Sequence, residues 1–189
     1  MSSNQPTADG QDVVDFLLRQ HREAEGLFAQ AAAATGEARR EPFEQLVRLL
    51  AGHETAEEEI VYPAIRSSLP DGDRLAEARL AEESAAKKAL ADLESTDVSS
   101  DEFAGKLEAC REMVLAHARL EEREIFPRLR ESHSPEELEK MAKGVQAAEA
   151  VAPTHPHPRG PESAVGNIVL GPFVAVADRV RDAIRKLGR

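Results

Sequence analysis

An all-α fold is what this sequence predicts, and three observations carry the prediction. The chain is rich in Ala, Leu, Glu and Arg, with no Trp and one Tyr, a composition that favours helices over sheets. Apolar residues recur at three- and four-residue steps through several long stretches, the spacing of one helix face. One passage also occurs twice. His53-Glu54-Thr55-Ala56-Glu57-Glu58-Glu59-Ile60-Val61-Tyr62-Pro63 is matched by His117-Ala118-Arg119-Leu120-Glu121-Glu122-Arg123-Glu124-Ile125-Phe126-Pro127, and Arg66 and Arg130 extend the match at a constant offset. Each copy reads His-x-x-x-Glu-Glu, then charged residues, an apolar residue, an aromatic and Pro.

The elements follow in order. Met1 to Gly10 is polar and is expected to be disordered. Asp12 caps a first helix that runs to about Thr35-Gly36, with Val14, Leu17, Leu18, His21, Ala24 and Phe28 on its stripe. Pro42 suits the first turn of a second helix, which carries the first motif copy. Pro63 and Pro127 each remove a backbone hydrogen bond and are expected to kink or stop their helices. Leu69-Pro70-Asp71-Gly72-Asp73 is a turn, and a third helix follows from about Arg74 to Glu94. Two stripes fit it, one through Glu82 and one through Glu83; either sets a glutamate among apolar residues. Ser99 or Ser100 caps the fourth helix, which carries the second copy. Ser134-Pro135-Glu136-Glu137 opens a short fifth helix that ends near Ala150. Residues 152–189 read as a Pro-rich connection, whose His155 and His157 are solvated, and an amphipathic helix from Pro172 to Lys186. The organisation expected is thus 1–10 disordered, 11–131 the main bundle, 132–151 the fifth helix and 152–189 the tail.

Composition excludes several classes. A net charge of −11 disfavours a nucleic-acid backbone as partner. Cys110 is the single cysteine, so no internal disulfide forms, and its place on a helix stripe makes it a buried small hydrophobe. The sequence shows no signal peptide and no apolar run near the ~20 residues of a membrane span, so a cytoplasmic protein, monomeric or weakly dimeric, is expected.

The repeated motif carries the chemistry. A lone His-x-x-x-Glu on a helix is ordinarily a solvated hydrogen-bonded pair. Here the phase argues otherwise. His53 and Glu57 continue the stripe of Phe43, Leu46, Leu50 and Ile60; His117 and Glu121 continue that of Leu107, Cys110, Val114 and Ile125. Ionisable groups on a core-facing stripe are costly unless paired or bound to metal. Two such pairs, with His21 on a third stripe, offer imidazole and carboxylate together, as a pair of metal ions requires. The His-Glu-x-x-His signature of zinc hydrolases fails at its last position, Glu57.

The doubled motif and its Glu-Glu-x-x-x-(Tyr/Phe)-Pro endings resemble the hemerythrin-like (HHE cation-binding) family over roughly residues 10–130, and the fifth helix and tail look like its actinobacterial-type subgroup. The resemblance implies an up-down-up-down four-helix bundle holding two iron ions in an oxo- or hydroxo-bridged di-iron centre. It implies His21 as the ligand of the first helix, His53 and Glu57 of the second, His117 and Glu121 of the fourth, with the two glutamates bridging. On the third helix the family usually has His. Aligning Leu90 and Leu93 puts Glu83 at that place, with Glu82 as runner-up. The oxygen carriers' His-x-x-x-His and His-x-x-x-x-Asp are missing.

Three imidazoles and three carboxylates are closer to the di-iron carboxylate bundles than to an oxygen carrier. Anionic oxygen ligands favour the ferric state, which does not carry dioxygen reversibly. The expected partner is therefore a small oxidant: hydrogen peroxide or dioxygen, with nitric oxide as a further ligand. Catalase- or peroxidase-like turnover is the leading activity. Rival readings are a protein that binds or senses dioxygen, nitric oxide or iron without turnover, and a metal-free structural bundle.

Overall fold

A computed structural model describes residues 11–150; the readings of residues 1–10 and of the tail beyond the fifth helix lie outside them. Among the described residues the chain is all-α, with no strand. Its helices are α1 (Val13–Ala33), α2 (Arg40–Ala56), α3 (Tyr62–Ser68), α4 (Gly72–Glu94), α5 (Asp101–Glu124), α6 (Phe126–Ser132) and α7 (Pro135–Glu149). A 3₁₀ turn, Gly36–Arg39, precedes α2, and a π-helical turn, Glu57–Val61, joins α2 to α3.

The caps are local chemistry. Asp12 accepts from the Asp15 N–H and Ser100 from the Phe103 N–H, while Ser134 and Glu137 form a reciprocal capping box. Two boundaries shift from the sequence reading. α1 ends at Ala33, and Gly36 then takes φ 57°, a left-handed backbone suited to glycine. The third long helix, α4, starts at Gly72 rather than Arg74. A Cβ there would lie 2.0 Å from the Ile65 carbonyl oxygen, so only glycine fits this turn.

Both α-helices are interrupted just ahead of their prolines, in line with the expected kink or stop. Around Pro63 the backbone widens into the π turn, where the Tyr62 N–H reaches the Glu57 carbonyl. Pro127 follows Ile125, the one irregular residue between α5 and α6 (φ −100°, ψ −58°). Each proline then occupies the first turn of a new helix, where its missing N–H costs nothing.

Four long rods result: α1, α2 with α3, α4, and α5 with α6. Contacts run from α1 to α2, from α3 to α4, from α4 to α5 and from α5 back to α1, closing the ring of a four-helix bundle. α7 packs across α1, α2 and the π turn. The apolar core is in two parts. One gathers Val14, Leu17, Tyr62, Leu75, Phe126 and Val145; the other gathers Ala24, Leu50, Ala86, Leu90, Cys110 and Val114. On every rod the break between them holds the ionisable residues picked out above: His21 between Leu17 and Ala24, His53 and Glu57 after Leu50, Glu83 between Ala76 and Ala86, His117 and Glu121 between Val114 and Ile125. Cys110 lies in the second cluster, and burial pushes its thiol up to about 12, leaving it inert.

Candidate metal centre

The break in the core is a polar layer shut away from water. Glu57 and Glu121 are 0 % exposed and Glu83 is 1 % exposed; the three histidines are also buried. Six inward-facing atoms, one from each residue, lie in short chains of contact. Nε2 of His21 is 3.2 Å from Nε2 of His53 and 3.4 Å from Oε2 of Glu121. Nε2 of His53 is 3.3 Å from Oε2 of Glu57, and Nε2 of His117 is 3.4 Å from Oε2 of Glu121 and 3.9 Å from Oε1 of Glu83. All six residues singled out in the sequence are brought together. They form two overlapping quartets, His21, His53, Glu57, Glu121 and Glu57, Glu83, His117, Glu121, with one ligand atom from each residue within 4.8 Å of the others. Glu57 and Glu121 belong to both.

Each imidazole is held from behind. Nδ1 of His21 lies 2.9 Å from Glu122 Oε1, Nδ1 of His53 2.9 Å from Gln20 Oε1, and Nδ1 of His117 3.1 Å from Glu82 Oε2. These oxygens accept, so each Nδ1 carries the hydrogen and each Nε2 turns a lone pair to the centre, the arrangement of metal-binding histidines. Glu82 is itself fixed by Arg79, whose Nη2 donates at 2.7 Å. Glu82 and Glu83 thus divide the work: Glu83 faces the layer's middle and Glu82 orients His117. Phe126 stacks on His21, with ring centroids 5.5 Å apart and 21° between planes. The Tyr62 hydroxyl donates to Glu83 and lies 2.9 Å from Glu121 Oε1.

Without a cation this layer is out of balance. Both carboxylate oxygens of Glu57, Oε2 of Glu83, Nε2 of His117 and Oε2 of Glu121 are buried with no hydrogen-bond partner. Such groups are rare in folded proteins and costly. Burial first, then the Glu121 and Glu83 charges, raise Glu57 well above the ordinary carboxylate range; burial and the neighbouring acids Glu54 and Glu58 do the same for Glu83. Glu121 goes the other way. Burial pushes it up, but His117, His21 and His53 together draw it down to about 2. Burial, with His21 adjacent, lowers His53 to about 3, whereas Glu121 and Glu122 overcome burial at His21 and raise it. Orphaned oxygen and nitrogen atoms, clustered and directed inward, fit a positive charge at their midst. The donor set, imidazole plus carboxylate, suits divalent and trivalent first-row ions.

Sequence reasoning missed the supporting shell. Gln20, Glu82 and Glu122 each lie beside a residue already chosen, and adjacency was the available signal. Glu54, buried and pushed up to about 8 by burial, pairs with Lys87 at 3.6 Å; Lys87 also pairs with Glu58 and, at 3.8 Å, with Glu83. Nothing in the periodicity marks that cluster.

A helical bundle with a buried layer of histidines and carboxylates able to hold cations defines a class, that of the carboxylate–histidine metal bundles. The comparisons name the family within it. The hemerythrin HHE cation binding domain matches residues 12–129, and the chain belongs to that family. A hemerythrin-like protein of Schizosaccharomyces pombe is 32% identical over 143 residues, covering 75% of this chain and 70% of that protein. A DNA nickase of Nostoc sp. is 29% identical over 146 residues, 76% of this chain but 41% of that protein, so this chain spans less than half that relative's length. Among solved structures, a hemerythrin HHE cation binding domain-containing protein from Mycobacterium kansasii shares the fold, with TM-score 0.65 and 24% identity over 74% of this chain and 86% of that one. No helix among the described residues is long and apolar enough to cross a membrane.

Proposed function

We propose that His21, His53, Glu57, Glu83, His117 and Glu121 hold two iron ions, and that the protein uses them to decompose hydrogen peroxide or otherwise react with small oxidants in the cytoplasm. Glu57 and Glu121, common to both quartets, would serve both ions. His21 and His53 would complete one ion's set, and Glu83 and His117 the other's. Iron bound there supplies redox change between the ferrous and ferric states. The chain's own residues supply the rest. Glu122, Gln20 and Glu82 fix the three imidazoles, Tyr62 holds Glu83 and Glu121 in place, and the two apolar clusters exclude water above and below.

The observation that carries this reading is the cavity over the layer. It is lined by apolar side chains of the four rods, among them Leu50, Ala86, Val114 and Leu115, together with His21, His53, Glu83 and His117. Its volume of about 20 Å³ has room for about one water-sized molecule. Peroxide, dioxygen and nitric oxide are small enough to enter such a space. Three carboxylates against three imidazoles favour the ferric pair, which argues for oxidant turnover over reversible dioxygen carriage.

The test is dioxygen release from hydrogen peroxide, two peroxides giving one dioxygen and two waters. Iron-loaded protein should release dioxygen in that ratio, and protein stripped by chelator should not. Iron-loaded protein that consumes no peroxide, yet changes spectrum with nitric oxide or dioxygen, would instead mark a binding or sensing protein.

A further inference from the structure

α7 lies outside the residues matched by the family domain, yet its last residue reaches the centre through one intermediary. Gln20 Nε2 donates to Glu149 Oε1 at 2.6 Å, and Gln20 Oε1 accepts from His53 Nδ1 at 2.9 Å. Gln20 is 7% exposed and His53 5%. The Glu149 side chain lies against Gly52, where an added Cβ would stand 3.6 Å from its Cγ. Leu138, Ala142, Val145 and Ala148 bind α7 into the core cluster, so the end that carries Glu149 is fixed relative to α1 and α2.

Donor and acceptor chemistry gives this contact a direction. A carboxylate only accepts, and a primary amide has one donor end and one acceptor end. Glu149 therefore draws the Gln20 NH₂ outward and leaves its carbonyl facing His53. The carbonyl in turn requires the hydrogen on Nδ1, and the Nε2 lone pair is left facing the polar layer. Without Glu149 the amide is free to turn over and offer NH₂ to Nδ1. The hydrogen would then sit on Nε2, directed at the place of the ions. His21 and His117 need no such relay, since Glu122 and Glu82 accept from them directly.

We propose that Glu149 is a positioning residue for the metal pair: acting through Gln20, it sets the ring tautomer of His53, and so makes the helix beyond the family's domain a determinant of iron binding. The proposal rests on the reading of His53 as a ligand.

The test uses the full chain and three proteins: wild type, E149L and the double variant Q20E/E149L. Ring ¹⁵N shifts of the metal-free proteins report the His53 tautomer, and competition with a chelator reports the affinity for ferrous iron. Wild type should show a single tautomer with hydrogen on Nδ1. E149L should show a mixture and bind ferrous iron roughly 10-fold more weakly. Q20E/E149L, which places a carboxylate on Nδ1 directly, as Glu82 does for His117, should restore both. An E149L protein with the wild-type tautomer would overturn the proposal, whether or not its affinity falls, because a loss without a tautomer change is a packing effect. Wild-type protein that shows the single tautomer but binds no iron would overturn the ligand reading instead. Should E149L fail to fold, E149Q decides: its amide can present either end to Gln20, so a mixture is expected and an unmixed Nδ1 tautomer overturns the proposal.

Discussion

The two motif copies are nearly one sequence and have become two different half-sites. In the first, Glu57 sits in a π turn and neither of its oxygens has a hydrogen-bond partner. In the second, Glu121 closes a regular α-helical turn, has Oε1 2.9 Å from the Tyr62 hydroxyl and lies beside two histidines. Burial raises the first carboxyl well above its ordinary range, while the imidazoles hold the second near 2. The aromatic residue before each proline differs in the same sense. Tyr62 gives a hydroxyl to the layer, where Phe126 gives only a ring face to His21. Even the second glutamate of each copy diverges: Glu58 pairs with Lys87, and Glu122 orients His21. A repeat in sequence thus fixes which side chains point inward, and the neighbours of each copy decide what those side chains do. π turns inside helices mark functional sites often enough that the one at Glu57 is consistent with a ligand set in place at some cost in regularity.

Removing the shared carboxylates should break the site altogether. E57A or E121A should leave purified protein nearly free of iron, whereas E83A, at a residue found in one quartet only, should lose about one ion of two. E82A should keep both ions but weaken one about 10- to 100-fold, because it only orients His117. Iron analysis of the four variants beside wild type checks the series.

Metal-free protein separates the two copies more sharply. E57Q removes an unpartnered buried acid and should raise stability by about 1–3 kcal/mol; E121Q removes a charge that three histidines and Tyr62 face and should lower it by a similar amount. Thermal melts of the apo forms read both. The pH dependence follows from the same shifts. Groups raised in the fold, Glu57, Glu83 and Glu54 at about 8, contribute stability that is full below the unfolded value of 4.5 and lost as pH rises through the folded one. His53 and Glu121, lowered in the fold, oppose this only at acid pH, where their contribution is lost as pH falls. Above about pH 7 the raised acids and the raised His21 act in the same direction, so the apo Tm should fall between about pH 7 and pH 9 while the iron-loaded Tm stays level.

The smallest effect is expected from making the copies more alike. Y62F should cost about 1 kcal/mol in hydrogen bonding and shift the ligand-to-iron absorption without releasing either ion. A variant that loses iron would give the hydroxyl a larger part than that of a brace.

The inward face of this bundle was legible because burial leaves a period. His21, His53 and His117 stand in the phase of Leu17, Leu50 and Val114, and the doubled His-x-x-x-Glu marks two rods as partners. α4 was half legible. Two stripes fit its weak apolar pattern, and only the packed structure assigns Glu83 to the layer and Glu82 to His117. What could not be read are contacts between rods. Gln20 with Glu149, Tyr62 with Glu121 and Lys87 with Glu54 join residues far apart in the chain and leave no trace in local spacing. The π turn was equally hidden. Pro63 announces that a backbone bond is missing, but not that the helix will widen by one residue to absorb the loss.

Two half-sites that share Glu57 and Glu121 and hold a pair of ions should fill with a fixed stoichiometry. Anaerobic titration of chelator-stripped full-length protein with ferrous iron tests it most directly. Saturation is expected at two iron ions per chain, followed on exposure to air by strong near-ultraviolet absorption from a ferric pair. Saturation at one ion per chain, or no binding by a folded protein, would contradict it.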